Sequence, residues 1–223
     1  MNNMIENKQQ LDILIQNKKG FIFDMDGTIL DSMAMWDTFC SKFLIMHGKE
    51  PDRDVDKVVK TMTVPLGAKY LKDKYELPLS EEEIMGQVFE MTGNLYKNEL
   101  LLKEKAMSLI TYLYNNNIDM IVATATEYNM AKMALKRNGV LKYFKGILTC
   151  SMVGASKHEP DIYLKACEEL KLSIDDCIIC EDSFFAAQTA KKSGFDVLGV
   201  YDYAEKDNWD KIVEITDYQV VLD

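Results

Sequence analysis

A chain of 223 residues has room for one large domain, or for a core carrying a smaller insert. Its net charge of −10, with no block of Lys and Arg, argues against nucleic acid as a partner. No stretch approaches the roughly 20 apolar residues of a membrane helix, and the polar start around Asn7 and Lys8 has no apolar signal region, so a cytoplasmic protein is expected.

Residues 1–19 are polar apart from Leu11-Asp12-Ile13-Leu14-Ile15, where a short leading helix is expected. The first strand falls at about 20–24. Phe21-Ile22-Phe23 is an unbroken apolar run that meets carboxylates, the pattern of a central parallel strand buried on both faces. Asp24-Met25-Asp26-Gly27-Thr28 follows. In open α/β sheets, ligands bind in the crevice at the carboxyl ends of the strands. Alternate strand residues share a side, so Asp24 and Asp26 can face that crevice together. Gly27 permits a sharp departure from the strand. Two carboxylates so placed suit phosphoryl transfer, one attacking phosphorus and the other handling the leaving group's proton.

From about residue 33 the pattern turns helical. Trp36, Phe39, Cys40, Phe43 and Leu44 recur at helical spacing, and Gly48 is a fitting stop. Val55, Val58, Val59 and Met62 mark a second helix. Pro65 suits the first turn of a third, which carries Leu66, Tyr70 and Leu71. Ser80-Glu81-Glu82-Glu83 is a capping box that opens a fourth, carrying Ile84, Val88, Met91 and Leu95. Residues 34–101 therefore read as an all-helical insert, with the Met and aromatic stripes as its core.

Strand and helix then alternate. A helix at about 104–116 leads to the apolar run Ile118 to Ala123. A helix at about 128–138 ends at Gly139, and Ile147-Leu148 begins a third strand. Asp161 to Leu170 is helical, with Pro160 expected at its first position. Cys177 to Cys180 is a fourth strand, a helix at about 184–193 ends at Gly194, and Val197 to Val200 is a fifth strand. This alternation implies a doubly wound α/β fold, a parallel sheet covered by helices on both faces. The domains are then an α/β core of residues 1–33 and 102–223, and a helical domain of residues 34–101.

Three later strand ends carry polar groups where the crevice should be. The second ends in Thr124-Ala125-Thr126. A hydroxyl with adjacent backbone amides can hold phosphate oxygens, while Thr126 also suits the N-cap of the next helix. Lys157, in the loop before Pro160, is placed to neutralise a phosphoryl oxygen, whereas His158 has no nucleophile to pair with and reads as a loop residue. Glu181-Asp182-Ser183 follows the fourth strand. Buried acids there need a partner. Mg²⁺, which takes one or two carboxylates plus water and phosphate, would be satisfied by Asp24 with one of this pair. The alternative is that Asp182 or Ser183 caps the helix that follows. An acidic protein that binds phosphate esters must supply positive charge locally, and a divalent metal with one or two lysines is the expected means. Cys40, Cys150, Cys167, Cys177 and Cys180 make an odd number with no disulfide framework. Cys177 and Cys180 lie on opposite sides of one strand and are expected as buried thiols.

The order Asp-Met-Asp-Gly-Thr at 24–28, then Thr124, Lys157 and Glu181-Asp182-Ser183, resembles the four motifs of the haloacid dehalogenase superfamily. The helical insert directly after the first motif looks like the small cap of its β-phosphoglucomutase-like branch. The resemblance implies Asp24 as nucleophile and Mg²⁺ ligand, and Asp26 as general acid/base that also gives the metal its backbone carbonyl. It implies Thr124 and Lys157 as holders of the phosphoryl group, Asp182 as a metal ligand, and Glu181 in or beside the ligand sphere. Gly27, Thr28, Trp36, Thr124, Ala125 and Lys157 are the expected substrate contacts. The chain departs from the branch at His158, where proline is common, at Ala186, where glycine is common, and at Glu104-Lys105, where Pro-Gly usually closes the cap.

The function so implied is Mg²⁺-dependent hydrolysis of a small phosphate monoester through an aspartyl-phosphate, with the cap closing to exclude water and a monomer as the expected state. A phosphomutase is the alternative. A mutase must hold a distal phosphate with a cationic group. Sequences like β-phosphoglucomutase carry a histidine ten residues after the second aspartate, and an arginine between the second and third cap helices. Here those places hold Trp36 and Thr61-Met62-Thr63-Val64-Pro65. Trp36 and Met62 offer an apolar wall instead, with Lys60 and Lys69 as the nearby cations.

Overall fold

The computed structural model describes residues 4–60, 62 and 64–223. After helix α1 (Lys8–Gln16) comes strand β1 (Gly20–Phe23), then helices α2 (Met33–Trp36), α3 (Phe39–Met46), α4 (Val55–Lys60), α5 (Val64–Tyr75) and α6 (Glu81–Asn98). Strand and helix then alternate through α7 (Ala106–Asn115), β2 (Asp119–Thr124), α8 (Tyr128–Arg137), β3 (Ile147–Thr149), α9 (Cys150–Val153) and α10 (Asp161–Leu170). The chain closes with β4 (Cys177–Glu181), α11 (Phe184–Lys192), β5 (Asp196–Val200), α12 (Trp209–Ile215) and β6 (Tyr218–Val220).

Six parallel strands form one sheet in the order β3-β2-β1-β4-β5-β6. All four residues of β1 are buried, as its unbroken apolar run requires of a central strand. Its neighbours in register are Val122 and Cys180, one on each side of Phe23. Ile22 joins a core cluster with Ile121, Ala123 and Ile179 of neighbouring strands and Ile162, Tyr163 and Ala166 of α10. Phe21 and Phe23 alternate to the other face, where Phe23 meets the edge of Phe144 at 6.0 Å. The chain builds β1, β2 and β3 toward one edge, then returns to the other flank of β1 for β4, β5 and β6. That reversal leaves a crevice at the carboxyl end of β1.

The chain divides into two compact units, Met1–Asp31 with Leu100–Asp223, and Ser32–Glu99. The second contains α2 to α6 around Phe39, Phe43, Leu44, Val55, Leu71 and Ile84. Ser80 opens α6 with a full capping box. Its Oγ accepts from the Glu83 backbone at 3.1 Å, and the Glu83 carboxylate accepts from the Ser80 backbone at 2.7 Å.

The fold differs from the sequence expectations at two places. Pro160 sits at the N-cap of α10, one position before the expected first turn. A sixth strand, β6, and the helix α12 before it extend the sheet beyond the five strands expected from the sequence. β3 turns directly into the short helix α9, whose N-cap is Thr149, its hydroxyl accepting from the Met152 backbone at 3.2 Å. The five cysteines are free thiols, and Cys177 and Cys180 are buried in β4. No helix among the described residues is long and apolar enough to cross a membrane.

Candidate active site

The carboxyl ends of β1 and β4 bring three acids together, and the loop after α9 adds a lysine. Asp24 directly follows β1, and its backbone N–H continues the ladder by donating to the Cys180 carbonyl at 2.9 Å. Its side chain is thereby held at the rim of the sheet and is almost fully buried. The next residues form a tight turn, in which Gly27 N–H donates to the Leu30 carbonyl at 3.0 Å and the Leu30 N–H to the Met25 carbonyl at 2.8 Å. Gly27 occupies left-handed backbone at φ +84, where any side chain would be strained. The turn brings Thr28 back under the strand end, where its Oγ1 donates to Asp182 Oδ1 at 2.9 Å.

Two residues past Asp24, the Asp26 carboxylate accepts from Thr126 Oγ1 at 2.6 Å. Thr126 is therefore not the N-cap of α8. That place belongs to Glu127, and the Thr126 backbone N–H donates instead to Thr124 Oγ1 at 3.0 Å. Thr124 is buried as the last residue of β2, and Ala125 is exposed in the bend after it. The loop after α9 delivers Lys157, whose Nζ donates to Asp24 Oδ1 and, at 2.6 Å, to Glu181 Oε1. Tyr163, from the first turn of α10, donates to the same Glu181 oxygen at 2.8 Å. On β4's flank, Ser183 caps α11, so Asp182 is released from that duty and faces Thr28. His158 is exposed and stacks on Phe185, outside this group.

Asp24, Glu181 and Asp182 each offer an oxygen within 4.8 Å of the others, and all three are buried. Three carboxylates against one ammonium leave an excess of negative charge in a dry place. Burial, then the Glu181 charge, pushes Asp24 up to about 6 although Lys157 pulls it down. Burial, with the charges of Asp24 and Glu181, also holds Asp182 well above the usual carboxylate range. Burial disfavours the Lys157 charge, but Asp24 and Glu181 more than offset it, and its pKa lies above the ordinary value. An all-oxygen donor set short of positive charge fits a hard divalent cation. Asp24 and Asp182 are the ligands best placed to hold it. Glu181 already has one oxygen committed to Lys157 and Tyr163.

Trp36 belongs to the helical unit. It is half-buried in α2, 5.5 Å from the Phe39 ring. With Met33, Phe39, Val59, Met62 and Val64 it lines a cavity of about 300 Å³ within that unit. Among the described residues that line it, the polar one is Asp56, whose Oδ1 already accepts from the Cys40 and Ser41 backbones at 2.7 and 3.1 Å. Lys69 pairs with Asp73 at 3.1 Å. Thr61, Thr63 and the side chain of Lys60 lie outside the described residues.

Residues 21–200 match the family model of haloacid dehalogenase-like hydrolases. The chain belongs to this family. It is 29% identical over 188 residues to the "Probable pseudouridine-5'-phosphatase" of Drosophila melanogaster, covering 81% of this chain and 80% of that one. It is 24% identical over 180 residues to the "Phosphorylated carbohydrates phosphatase" of Thermotoga maritima, covering 80% and 83%. Among solved structures, the beta-phosphoglucomutase of Clostridium difficile shares the fold with a TM-score of 0.67 and 20% identity, over 92% of this chain and 91% of that one. Asp24, Thr124 and Asp182, far apart in the chain, lie at the carboxyl ends of β1, β2 and β4, and the loop after α9 brings Lys157 to Asp24. Thr126 and Tyr163 are the two contributors that the sequence did not single out. Thr126 was hidden by its fitness as a cap, and Tyr163 by helical spacing that makes it look like core.

Proposed function

We propose that this family member, a phosphoric monoester hydrolase like its phosphatase relatives, hydrolyses a small phosphorylated metabolite by way of an aspartyl-phosphate on Asp24. One observation carries the reading. A buried carboxylate sits at the end of the central strand inside an acidic cluster, and a second carboxylate, held by Thr126, lies two residues on.

An Asp24 oxygen attacks phosphorus in line, and the bond from phosphorus to the leaving oxygen breaks. Asp26 gives that oxygen its proton. Thr126 keeps the Asp26 carboxylate turned to one position for the transfer. Asp26 then takes a proton from water, the water oxygen attacks phosphorus, and the bond to Asp24 breaks to release phosphate. Lys157 keeps Asp24 ionised before substrate arrives and offsets phosphoryl charge afterwards. Mg²⁺, held by Asp24, Asp182 and the Asp26 carbonyl with Glu181 in or beside its ligand sphere, would supply the remaining positive charge at the phosphoryl oxygens. Gly27, Thr28, Thr124 and Ala125 would surround the phosphoryl group. The inserted helical unit would act as the cap that selects the leaving group, with Trp36 as part of that selection. The enzyme would act as a cytoplasmic monomer.

A phosphomutase on the same fold is the second reading, supported by the beta-phosphoglucomutase neighbour. Three features of the helical unit favour the phosphatase. Trp36 stands where a mutase-like sequence has histidine. The cavity beside it is mainly apolar, with a carboxylate that is already satisfied, and Lys69 is paired with Asp73. Incubation with β-glucose 1-phosphate, Mg²⁺ and a bisphosphate primer separates the two, alongside a panel of sugar phosphates and nucleotides. Inorganic phosphate from some monoester, with no isomerised product, is expected. Glucose 6-phosphate forming faster than inorganic phosphate would establish the mutase.

A further inference from the structure

We infer that Tyr163 is a positioning residue for this reaction, acting through Glu181 on Lys157 and Asp24. The inference rests on the phosphatase reading above. Tyr163 is completely buried in the first turn of α10, six residues after Lys157. Its ring packs at 6.2 Å against Phe195, and its hydroxyl points out of that apolar cluster into the acidic one. There it meets Glu181 Oε1 at 2.8 Å, the oxygen that Lys157 also contacts at 2.6 Å. Lys157 continues the chain to Asp24. Tyr163–Glu181–Lys157–Asp24 is thus one buried relay of hydrogen bonds between the core and the Asp24 carboxylate.

The chemistry of the phenol suits the task. A tyrosine hydroxyl is protonated at neutral pH, and toward an ionised carboxylate it can only donate. With that donor in place, Glu181 Oε1 is held by two donors from different elements. Lys157 is then held between two carboxylates rather than drawn wholly to one. A buried carboxylate left with a single donor would swing to compete for Lys157, and Asp24 would lose its alignment. An error of about 1 Å at a reacting group can cost as much as a hundredfold in rate.

The test is a double-mutant cycle with Tyr163→Phe and Glu181→Gln, measured on the full chain with Mg²⁺ and whichever monoester the parent turns over. Tyr163→Phe keeps the ring and removes only the hydroxyl. It is expected to lower kcat about tenfold with KM within about twofold, as loss of an orienting partner does. In the Glu181→Gln background the same change is expected to cost less than about twofold, because its route to Asp24 is already cut. Calorimetric titration with Mg²⁺, which needs no turnover, should show binding about tenfold weaker in Tyr163→Phe. A matched control, Phe195→Leu, disturbs the ring's packing but leaves the hydroxyl, and should lower Tm while leaving kcat at the parent value. Equal losses from Tyr163→Phe in both backgrounds would overturn the inference, as would a parent-like kcat and Mg²⁺ affinity, or an equal kcat loss in Phe195→Leu. An inactive parent would instead contradict the phosphatase reading, and the Mg²⁺ titration would still test the link from Tyr163 to the metal site.

Discussion

Asp24→Asn is expected to lower turnover by three or more powers of ten, because an amide oxygen is not a competent nucleophile toward phosphorus. The substitution is nearly isosteric, and its neighbours have other anchors. Lys157 keeps Glu181 at 2.6 Å, and Asp182 keeps Thr28 at 2.9 Å. The backbone bond from residue 24 to Cys180 is unaffected by the side chain. Burial disfavours the Asp24 charge and raises its pKa, so a neutral side chain relieves one penalty while Lys157 loses one partner. Tm should therefore stay within about 5 °C of the parent. Steady-state phosphate release from folded protein is the measurement. Residual activity above about one per cent of the parent would remove Asp24 from the nucleophile's role, given the size of such losses.

Removal of divalent metal is expected to have the next largest effect. Three buried carboxylates with one lysine cannot hold the further negative charge of a phosphoryl group without a cation. Excess EDTA should lower kcat by about two powers of ten or more, and Mg²⁺ should restore it. Ca²⁺ should occupy the site and inhibit, since it takes more ligands at longer distances and misplaces the reacting oxygens. The pH dependence follows from the direction of the Asp24 shift. Its folded pKa of about 6 lies above the ordinary value, so below about pH 6 a proton would compete with the metal proposed to bind this carboxylate. The Mg²⁺ concentration for half-activation should thus rise as pH falls through about 6, by up to about tenfold per unit. The raised Asp182 pKa acts in the same direction. Full activity in EDTA would sink the metal reading.

The sheet and most of the site could be read from the chain because of where apolar runs stop. Phe21-Ile22-Phe23 ends at Asp24, and Cys177 to Cys180 ends at Glu181-Asp182. An apolar run that meets acids marks a buried strand and its carboxyl end together. What stayed hidden depends on distant partners. Thr126 has the local chemistry of a cap, and only the fold sets it against Asp26, 100 positions away. The Tyr163 hydroxyl looks like part of a core residue until β4 places Glu181 above it. Strand β6 is three residues long with Gln219 at its centre, so it has neither a continuous apolar run nor a clean alternation. The buried Gln219 Nε2 donates to the Thr216 carbonyl and hydroxyl at 3.2 and 2.9 Å, while its Oε1 finds no partner among the described residues. Pro160 lies one position before its expected place, at the N-cap of α10, a difference within the usual spread of helix ends.

The covalent step is the centre of this account, and trapping it is the most direct test. The parent protein, mixed with Mg²⁺ and a ³²P-labelled monoester that it hydrolyses, can be quenched in acid on the millisecond scale and mapped by mass spectrometry. An acyl phosphate on the peptide that carries Asp24, formed before free phosphate reaches its steady rate and absent from Asp24→Asn, is the predicted result. Phosphate release with no label on the protein at any quench time, or label confined to another residue, would contradict it.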